Sequence, residues 1–267
     1  MRKKNMTVYQ GGKKRLGQKI FHRLSELEDT YVLKKFTKLT KLPYLEPFVG
    51  MCGVARYFAA EKDRTVTLGD SNKDLVCMWQ SVQDGSWTPP LTCTRDYYDF
   101  LKDSVSFALE SVDKKTQADR MFLGCAASYG GNYFSGGFRL KSEALSAALA
   151  KRDYLGEGAR SIKALRPSLL QGNTSFKAQD YREWSPQNSL VYCDPPYLNN
   201  KLGPKCFREF DHTQFWDVIR QWSKNNLVLV SERTAPPDFI SVWTAKSTLT
   251  VSRKGHSNTE HLFIKAS

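Results

Sequence analysis

A carboxylate, two prolines and a tyrosine follow one another at residues 194–197, directly after the apolar run Leu190–Cys193. Prolines have no N–H for a strand ladder and fix φ, so a strand should end here and hold these groups rigidly at its carboxyl end. Asp194 and the carbonyl oxygen of Pro195 could accept the two hydrogens of an exocyclic amine on a nucleobase and so localise its lone pair. The ring of Tyr197 could stack on that base. The alternative is a plain turn, with Asp194 as a cap and Tyr197 packed against the core.

A glycine turn and an acidic residue form a second group. Residues 44–53 have the pattern of a short strand followed by a glycine turn, and a helix should follow over about 54–60. That is the nucleotide-binding arrangement of Rossmann-like sheets. A second strand at 65–69 ends at Asp70, twenty residues after Gly50. A carboxylate in this position could accept hydrogen bonds from ribose hydroxyls.

Two later helices are indicated by apolar residues at positions i, i+3, i+4 and i+7. Ser71 should cap the first helix and Asp211 the second. The stripes predict faces that pack against a core. Their members are Leu75, Met78, Trp79 and Val82 in the first helix, and Phe215, Trp216, Ile219 and Trp222 in the second.

The strands of the second half are predicted from short apolar runs. A strand at 174–178 leads to Asp180, which could bond a purine amino group or simply cap the next turn, and the sequence leaves both open. Three further strands should complete the sheet, the last two paired around a basic loop: 227–231, 239–243 and 261–264, with Arg253 and Lys254 in the loop.

Residues 85–171 differ in character from the flanking α/β pattern. Helical patterns at about 96–112 and 115–127 precede the loop Ser128–Arg139, and further helix extends to about 165. The loop contains four glycines among tyrosines, phenylalanines and an arginine. It could enter a DNA groove with stacking and phosphate-binding groups, or be an irregular surface loop with two aromatic rings in the core.

The chain is strongly basic. Its 267 residues include 40 Lys and Arg against 27 Asp and Glu, and residues 1–41 alone hold 12 of the basic and three of the acidic residues. This charge favours a nucleic-acid partner, although charge alone fits a solvated basic surface equally well. In this segment Gly11 and Gly12 would let a backbone approach a ligand, and Lys13 could hold a carboxylate or phosphate. The alternative is a basic turn.

Composition bounds the class of protein. Hydrophobic residues make up 40% of the chain, enough to bury a core, which excludes global disorder. The six cysteines lack metal-ligand spacing, so we expect reduced thiols and no metal site. No apolar run is long enough to span a bilayer, and the amino terminus lacks the apolar centre of a signal peptide. We therefore expect a soluble, intracellular protein without a membrane partner.

Five motifs in a fixed order resemble those of the Dam-like DNA adenine methyltransferases, in the order of that family's alpha group. They are YQGGK at 9–13, EPFVG at 46–50, GDSN at 69–72, QDY at 179–181 and DPPY at 194–197. The loop at 128–139 and the tract FDHTQFW at 210–216 resemble phage and viral members in particular.

The resemblance implies an α/β fold, a Rossmann-like methyltransferase mixed sheet with a mainly helical target-recognition insertion. Residues 1–84 and 172–267 would form the catalytic domain, and residues 85–171 the insertion. It also implies catalytic roles for Asp194, Pro195, Pro196 and Tyr197. The cofactor would be S-adenosylmethionine, held by Tyr9, Gly11, Gly12, Lys13, Glu46, Pro47, Phe48, Gly50, Asp70, Asp180, Tyr181 and Asp194. DNA contacts are expected from Lys14, Arg15, Tyr129, Asn132, Tyr133, Arg139, Arg253 and Lys254.

The expected reaction is direct methyl transfer to the exocyclic amino nitrogen of a flipped adenine in double-stranded DNA, without a covalent enzyme intermediate. The alternatives are transfer to the cytosine amino group, transfer to adenine in RNA, and a catalytically inactive DNA-binding relative. Double-stranded DNA is the expected partner. A cognate restriction endonuclease as a second partner, and the choice between a monomer and a weak homodimer, stay open.

Overall fold

The protein is described by a computed structural model that covers residues 13, 15–35, 41–106, 112–140, 152–198, 210–248 and 257–266. Within these residues, seven strands form one sheet. In chain order they are β1 (Tyr44–Glu46), β2 (Thr65–Asp70), β3 (Asn173–Ala178), β4 (Leu190–Cys193), β5 (Leu227–Glu232), β6 (Phe239–Thr248) and β7 (Ser257–Lys265).

Eight α-helices lie in the described part of the chain. They are α1 (Gly17–Lys35), α2 (Ala55–Phe58), α3 (Lys73–Asp84), α4 (Arg95–Ser106), α5 (Lys114–Ala126), α6 (Tyr154–Lys163), α7 (Arg166–Gln171) and α8 (His212–Trp222). Short 3₁₀ helices occur at Tyr129–Gly131 and Tyr181–Glu183. None of the helices in the described ranges is long and apolar enough to cross a membrane.

The strands lie in the order β3-β2-β1-β4-β5-β7-β6. Strands β1 to β5 are parallel to their neighbours, whereas β7 runs antiparallel between β5 and β6. Strands β2 and β3 therefore lie on one side of β1, and strands β5, β7 and β6 lie on the opposite side of β4. Connections diverge at such a switch point, and a crevice opens at the carboxyl ends of the two strands, where ligands bind in open α/β sheets.

The core lies on both faces of this sheet. Every residue of β4 and of β5 is buried, as expected for central parallel strands covered on two sides. On one face α8 packs its stripe of large apolar side chains, Phe215, Trp216, Ile219 and Trp222. On the other face α1 and α3 pack together with helices of the 85–171 region, which share the same apolar cluster.

Most of the expected elements are present, with local differences. The predicted pair of closing strands is confirmed by β6 and β7, and Asp211 caps α8 as expected, accepting from the N–H of Gln214. The helix after the glycine turn is only the short α2. Ser71 does not cap α3, since it is Asn72 whose side-chain oxygen reaches the free N–H groups of Asp74 and Leu75.

The helices predicted in the 85–171 region agree in part. α4 and α5 match the two expected patterns, although residues 107–111 of the first lie outside the described ranges. The further helix to about 165 corresponds to α6, which α7 follows, and residues 141–151 are not described.

A buried ion pair fixes α1 to the sheet. The guanidinium of Arg64, just before β2, donates to both oxygens of Glu28 on α1, over 2.7 and 3.0 Å. Glu28 also accepts from the N–H of Leu42, which leads into β1. The two charged side chains are 1% and 0% exposed. The pair thus holds α1, the helix that follows Lys13, against the start of β2.

Replacement of Glu28 by Gln should destabilise the protein by about 3 kcal/mol, because the buried Arg64 would keep only the more exposed Glu61, 3.0 Å away, as its counter-charge. Urea unfolding measures the change. The matched control is Glu26→Gln on the same helix, where Glu26 is 64% exposed in its pair with Arg23. That change should cost less than about 0.5 kcal/mol. Equal effects of the two substitutions would contradict the anchoring role of Glu28.

Candidate active site

The glycine turn after β1 is held by hydrogen bonds from two later elements. Asp70, at the end of β2, accepts from the N–H of Gly50 over 3.2 Å and from that of Asn72 over 3.0 Å. The indole N–H of Trp79 on α3 donates to the carbonyl oxygen of Gly50 over 2.9 Å. Gly50 has a φ of 46°, in the left-handed region that favours glycine. The turn is therefore fixed before any ligand binds.

The carboxyl group of Asp70 is also largely withdrawn from water. Burial raises its pKa to about 6, although the two backbone N–H groups oppose this shift. Each oxygen accepts a single backbone hydrogen bond, and a carboxylate oxygen can accept more than one. The residue that the sequence marks for ribose binding thus has spare acceptor capacity at the carboxyl edge of the sheet.

The tetrapeptide at 194–197 leaves the end of β4 and meets Lys13 from the other end of the chain. The ammonium nitrogen of Lys13 lies 2.5 Å from Oδ1 of Asp194, 2.6 Å from the hydroxyl oxygen of Tyr197 and 3.3 Å from Oε1 of Glu260. An ammonium has three N–H donors, and each has an oxygen here. The side chains of Lys13, Asp194 and Glu260 are 10%, 17% and 8% exposed.

Two glutamates that sequence reasoning missed support the tetrapeptide. Glu260 on β7 accepts a hydrogen bond from the hydroxyl of Tyr197. Glu232, the last residue of β5, accepts from the N–H of Leu198 over 2.6 Å and also from the N–H of Arg233. A signal for Glu260 was available, because it shares a strand face with Leu262 and Ile264. A carboxylate on an otherwise apolar face of a strand needs a partner.

Burial and charge act in opposite directions on the groups of this cluster. Burial raises the pKa of Asp194 to about 6, and the charge of Lys13 opposes the rise. Burial alone would lower the pKa of Lys13, but Asp194 and Glu260 outweigh it, and the net shift is upward. Lys13 therefore stays charged, balanced by the two carboxyl groups.

Glu46, at the end of β1, lies beside this cluster. It is 2% exposed, and its oxygen accepts a hydrogen bond of 2.5 Å from the hydroxyl of Tyr44. Burial raises the pKa of Glu46 well above its ordinary value, and Lys13 and the hydrogen bond from Tyr44 oppose that rise.

An aromatic cluster lies near the end of β3, beside the glycine turn. The rings of Phe48 and Tyr181 are 5.4 Å apart, and Phe210 lies 5.9 and 5.5 Å from them. Asp180 caps the 3₁₀ helix that begins at Tyr181 and pairs with Arg182 over 2.7 and 3.0 Å. The capping alternative for Asp180 is thus observed, and both of its oxygens accept from Arg182.

The structure brings many of the predicted site residues to one edge of the sheet. Glu46, Pro47, Phe48 and Gly50 follow β1, Asp70 ends β2, Asp180 and Tyr181 follow β3, and residues 194–197 follow β4. Pro47 and Pro195 are buried there, and Pro196 and Tyr197 half-buried. Six predicted residues lie outside the described ranges: Tyr9, Gly11, Gly12, Lys14, Arg253 and Lys254.

The loop at 128–139 is packed more tightly than a groove-binding loop requires. Phe134 and Phe138 are buried in the core, as in the structural alternative for this loop. The hydroxyl of Tyr133 donates to Asp74 on α3 over 3.1 Å. Tyr129 and Asn132 are half-buried, and Arg15, before α1, is exposed.

Arg139 is predicted to contact DNA, but its side chain is buried. It is 6% exposed, and its guanidinium donates twice to the carbonyl oxygen of Ala126, over 2.9 and 3.1 Å. The same group lies 3.9 Å from the ring centroid of Tyr154. Ala126 ends α5, and the last turn of a helix has carbonyls without partners in the helix, which attract a cation. In this position Arg139 joins α5 to α6 and does not face solvent.

The strand order, the glycine turn after β1 and the polar groups at the carboxyl edge define a Rossmann-like α/β fold with a ligand-binding crevice at that edge. Residues 9–122 match the family model of the D12 class N6 adenine-specific DNA methyltransferases. The match confirms the predicted family resemblance and indicates S-adenosylmethionine as the cofactor. Similarity to phage and viral members stays a prediction. No curated protein sequence matches this chain.

Solved structures with similar folds have low identity to this chain. TrmN from Thermus thermophilus is 14% identical with a TM-score of 0.36, over 92% of this chain and 48% of that one. The rRNA methyltransferase aviRa from Streptomyces viridochromogenes is 10% identical with a TM-score of 0.36, over 91% and 84%. SMU.472, a putative methyltransferase complexed with SAH, is 8% identical with a TM-score of 0.31, over 97% and 56%. The chain spans about half the length of TrmN.

The raised pKa of Asp70 predicts a pH dependence of stability. The folded state favours the protonated carboxyl group, so the contribution of Asp70 to stability falls as pH rises from its ordinary pKa of 3.8 through about 6. Between pH 4 and pH 7 the wild-type protein should lose about 2.4 kcal/mol relative to Asp70→Asn, which does not titrate. Urea unfolding at a series of pH values measures this, and parallel curves for the two proteins would contradict it.

The position of Arg139 predicts a structural effect of its removal. Arg139→Ala should lower the free energy of unfolding by about 2 kcal/mol, because a buried carbonyl loses its charged donor. The DNA affinity of the folded variant should equal that of the wild type, by titration at fixed salt. The control is Arg160→Ala, since Arg160 is 67% exposed and should contribute little to stability. Unchanged stability with weakened DNA binding would restore the predicted DNA contact.

Proposed function

We propose that this protein transfers a methyl group from S-adenosylmethionine to the exocyclic amino nitrogen of a flipped adenine in double-stranded DNA. One observation supports this most directly. Lys13, inside the segment that matches the family model, lies 2.5 Å from Asp194, which is outside that segment. The tetrapeptide at 194–197 thus belongs to the same site as the matched residues and is not an isolated turn.

The groups at the end of β4 suit an amine as methyl acceptor. The half-buried carboxylate of Asp194 accepts one hydrogen of the target amino group, and the carbonyl of Pro195 accepts the other. These two acceptors localise the nitrogen lone pair and stabilise the positive charge that develops on nitrogen, in a site partly withdrawn from water. The two prolines hold both acceptors in place, and the ring of Tyr197 stacks on the base.

The residues around the glycine turn fit the proposed cofactor. Asp70 has spare acceptor capacity for ribose hydroxyls, the rings of Phe48 and Tyr181 offer an apolar surface for adenine, and Asp180 lies beside them. Lys13 is the cation nearest to the reacting groups and suits the carboxylate of the methionine end. When bound, S-adenosylmethionine supplies a methyl group on a positively charged sulfur, which leaves as a neutral thioether.

The basic surface supports a nucleic-acid substrate. The net charge is +13, and the exposed Arg15 belongs to the basic segment next to Lys13. Residues 85–171 are proposed as the target-recognition region, with Tyr129, Asn132 and Tyr133 as contacts. In this proposal the buried Arg139 supports the loop and does not contact DNA.

Asp194→Ala should reduce methyl transfer by roughly 10²–10³-fold, because the developing charge on the amino nitrogen loses its carboxylate acceptor. The assay uses labelled S-adenosylmethionine and unmethylated genomic DNA, followed by mass spectrometry of the nucleosides. The control Asp217→Ala alters a carboxylate that is 66% exposed on α8 and should leave the rate unchanged.

Each product of this assay decides a different point. Methyladenine from the wild type that disappears in Asp194→Ala supports the proposal. Methylcytosine would keep the site and overturn the base assignment. Turnover by Asp194→Ala close to that of the wild type would exclude the proposed role of the carboxylate. Transfer to RNA and not to DNA would reassign the substrate.

A further inference from the structure

We propose that Glu260 is a positioning residue of this site, which receives the Lys13 ammonium when the target amino group takes its place on Asp194. The inference rests on the proposed function, because it requires an amine to enter the site. In the structure, Lys13 donates to Asp194, the carboxylate that the incoming amine needs.

Lys13 and a target amine compete for the same acceptor. Both are nitrogen groups that donate N–H hydrogen bonds, and Lys13 lies 2.5 Å from Oδ1 of Asp194. Without a substrate, this contact satisfies a buried carboxylate with a buried cation. The carboxylate could accept from both, but the ammonium offsets the negative charge that would polarise the amine. Productive binding of an adenine therefore favours transfer of the ammonium to another counter-charge, which a cation in so buried a place needs.

Among the described residues, Glu260 is the carboxylate able to meet that need, while the methionine carboxylate proposed as a ligand of Lys13 would take another of its three N–H groups. Its Oε1 lies 3.3 Å from the Lys13 nitrogen, so a movement of about 0.5 Å brings the pair to an ordinary hydrogen-bond length. Glu46 is close as well, but its Oε2 already accepts a hydrogen bond from the hydroxyl of Tyr44. Glu232 is engaged with the backbone N–H groups of Leu198 and Arg233.

The register of the sheet fixes Glu260 at this point. In the antiparallel pair of β5 and β7, Glu232 lies opposite His261. Glu260 therefore projects one residue beyond the carboxyl end of β5, at the edge where β4 delivers Asp194. It is 7% exposed and paired on its other side with Ala245 of β6. A carboxylate on a paired strand, at a fixed register, can position a lysine accurately.

Glu260 also acts on the tetrapeptide through Tyr197. The hydroxyl of Tyr197 accepts from Lys13 over 2.6 Å and donates to Glu260. The lysine nitrogen lies 4.6 Å from the centroid of the same ring. Glu260 thereby orients the ring that would stack on the base, and this second contact must be separated from the first in any test.

The test compares Glu260→Gln, Glu260→Asp and the wild type, with labelled S-adenosylmethionine and unmethylated genomic DNA. Glu260→Gln should lower kcat roughly 10–100-fold, because Lys13 stays on Asp194 and the amine is misplaced. Cofactor affinity by calorimetry should be unchanged. Glu260→Asp keeps the charge and should recover part of the rate. The control Glu26→Gln, remote on α1, should behave as the wild type.

Two double variants separate the contacts. In a Lys13→Met background, Glu260→Gln should cause no further loss, because the competing ammonium is gone. In a Tyr197→Phe background Glu260→Gln should still lower kcat, because the effect depends on Lys13 and not on the hydroxyl of Tyr197. If Lys13→Met has no measurable rate, the test is the comparison of Glu260→Asp with Glu260→Gln. A kcat of Glu260→Asp no higher than that of Glu260→Gln overturns the proposal.

Other outcomes distinguish a failure of the positioning role of Glu260 from a failure of the proposed function. A wild-type kcat for Glu260→Gln, an equal loss in the Lys13→Met background, or a loss of cofactor affinity to match the loss of rate would overturn the positioning role alone. A wild-type protein that forms no methyladenine overturns the proposed function, and the positioning role falls with it.

Discussion

The contact between Lys13 and Asp194 depends on a close backbone approach near the amino terminus. α1 begins at Gly17, whose N–H donates to the carbonyl of Lys13 over 2.6 Å. A Cβ added at Gly17 would lie 2.0 Å from the carbonyl oxygen of Gly53 in the turn after β1. No side chain can be accommodated at that distance, so glycine allows α1 to pack directly on the turn. Lys13 is then delivered to the end of β4, 181 residues away in the chain.

The placement of Lys13 at the end of β4 determines the balance of charge in the site. A lone buried ammonium or carboxylate would be costly, and each would shift its pKa toward the neutral form. The ammonium of Lys13 and the carboxyl groups of Asp194 and Glu260 instead offset one another. The site therefore keeps charged groups in a place partly closed to water, where electrostatic interactions are stronger than in bulk solvent.

The tetrapeptide is held by two strands that come late in the chain and lie on the same side of β4. β5 supplies Glu232 to the backbone after Tyr197, and β7 supplies Glu260 to the hydroxyl of Tyr197. β7 reaches this edge because it inserts antiparallel between β5 and β6. The antiparallel end of the sheet is thus part of the site, and it also completes the sheet.

The sequence by itself determined the alternation of strands and helices, the glycine turn with Asp70 twenty residues later, and the tetrapeptide at a strand end. These features follow from short-range rules, because apolar periodicity, glycine and proline act within a few residues. It did not determine the cap at Asn72, the burial of Arg139 against the end of α5, or the roles of Glu232 and Glu260. Each depends on which distant group lies within a few ångströms, and only the packed sheet decides that, because strand order and register bring together residues that no local pattern connects.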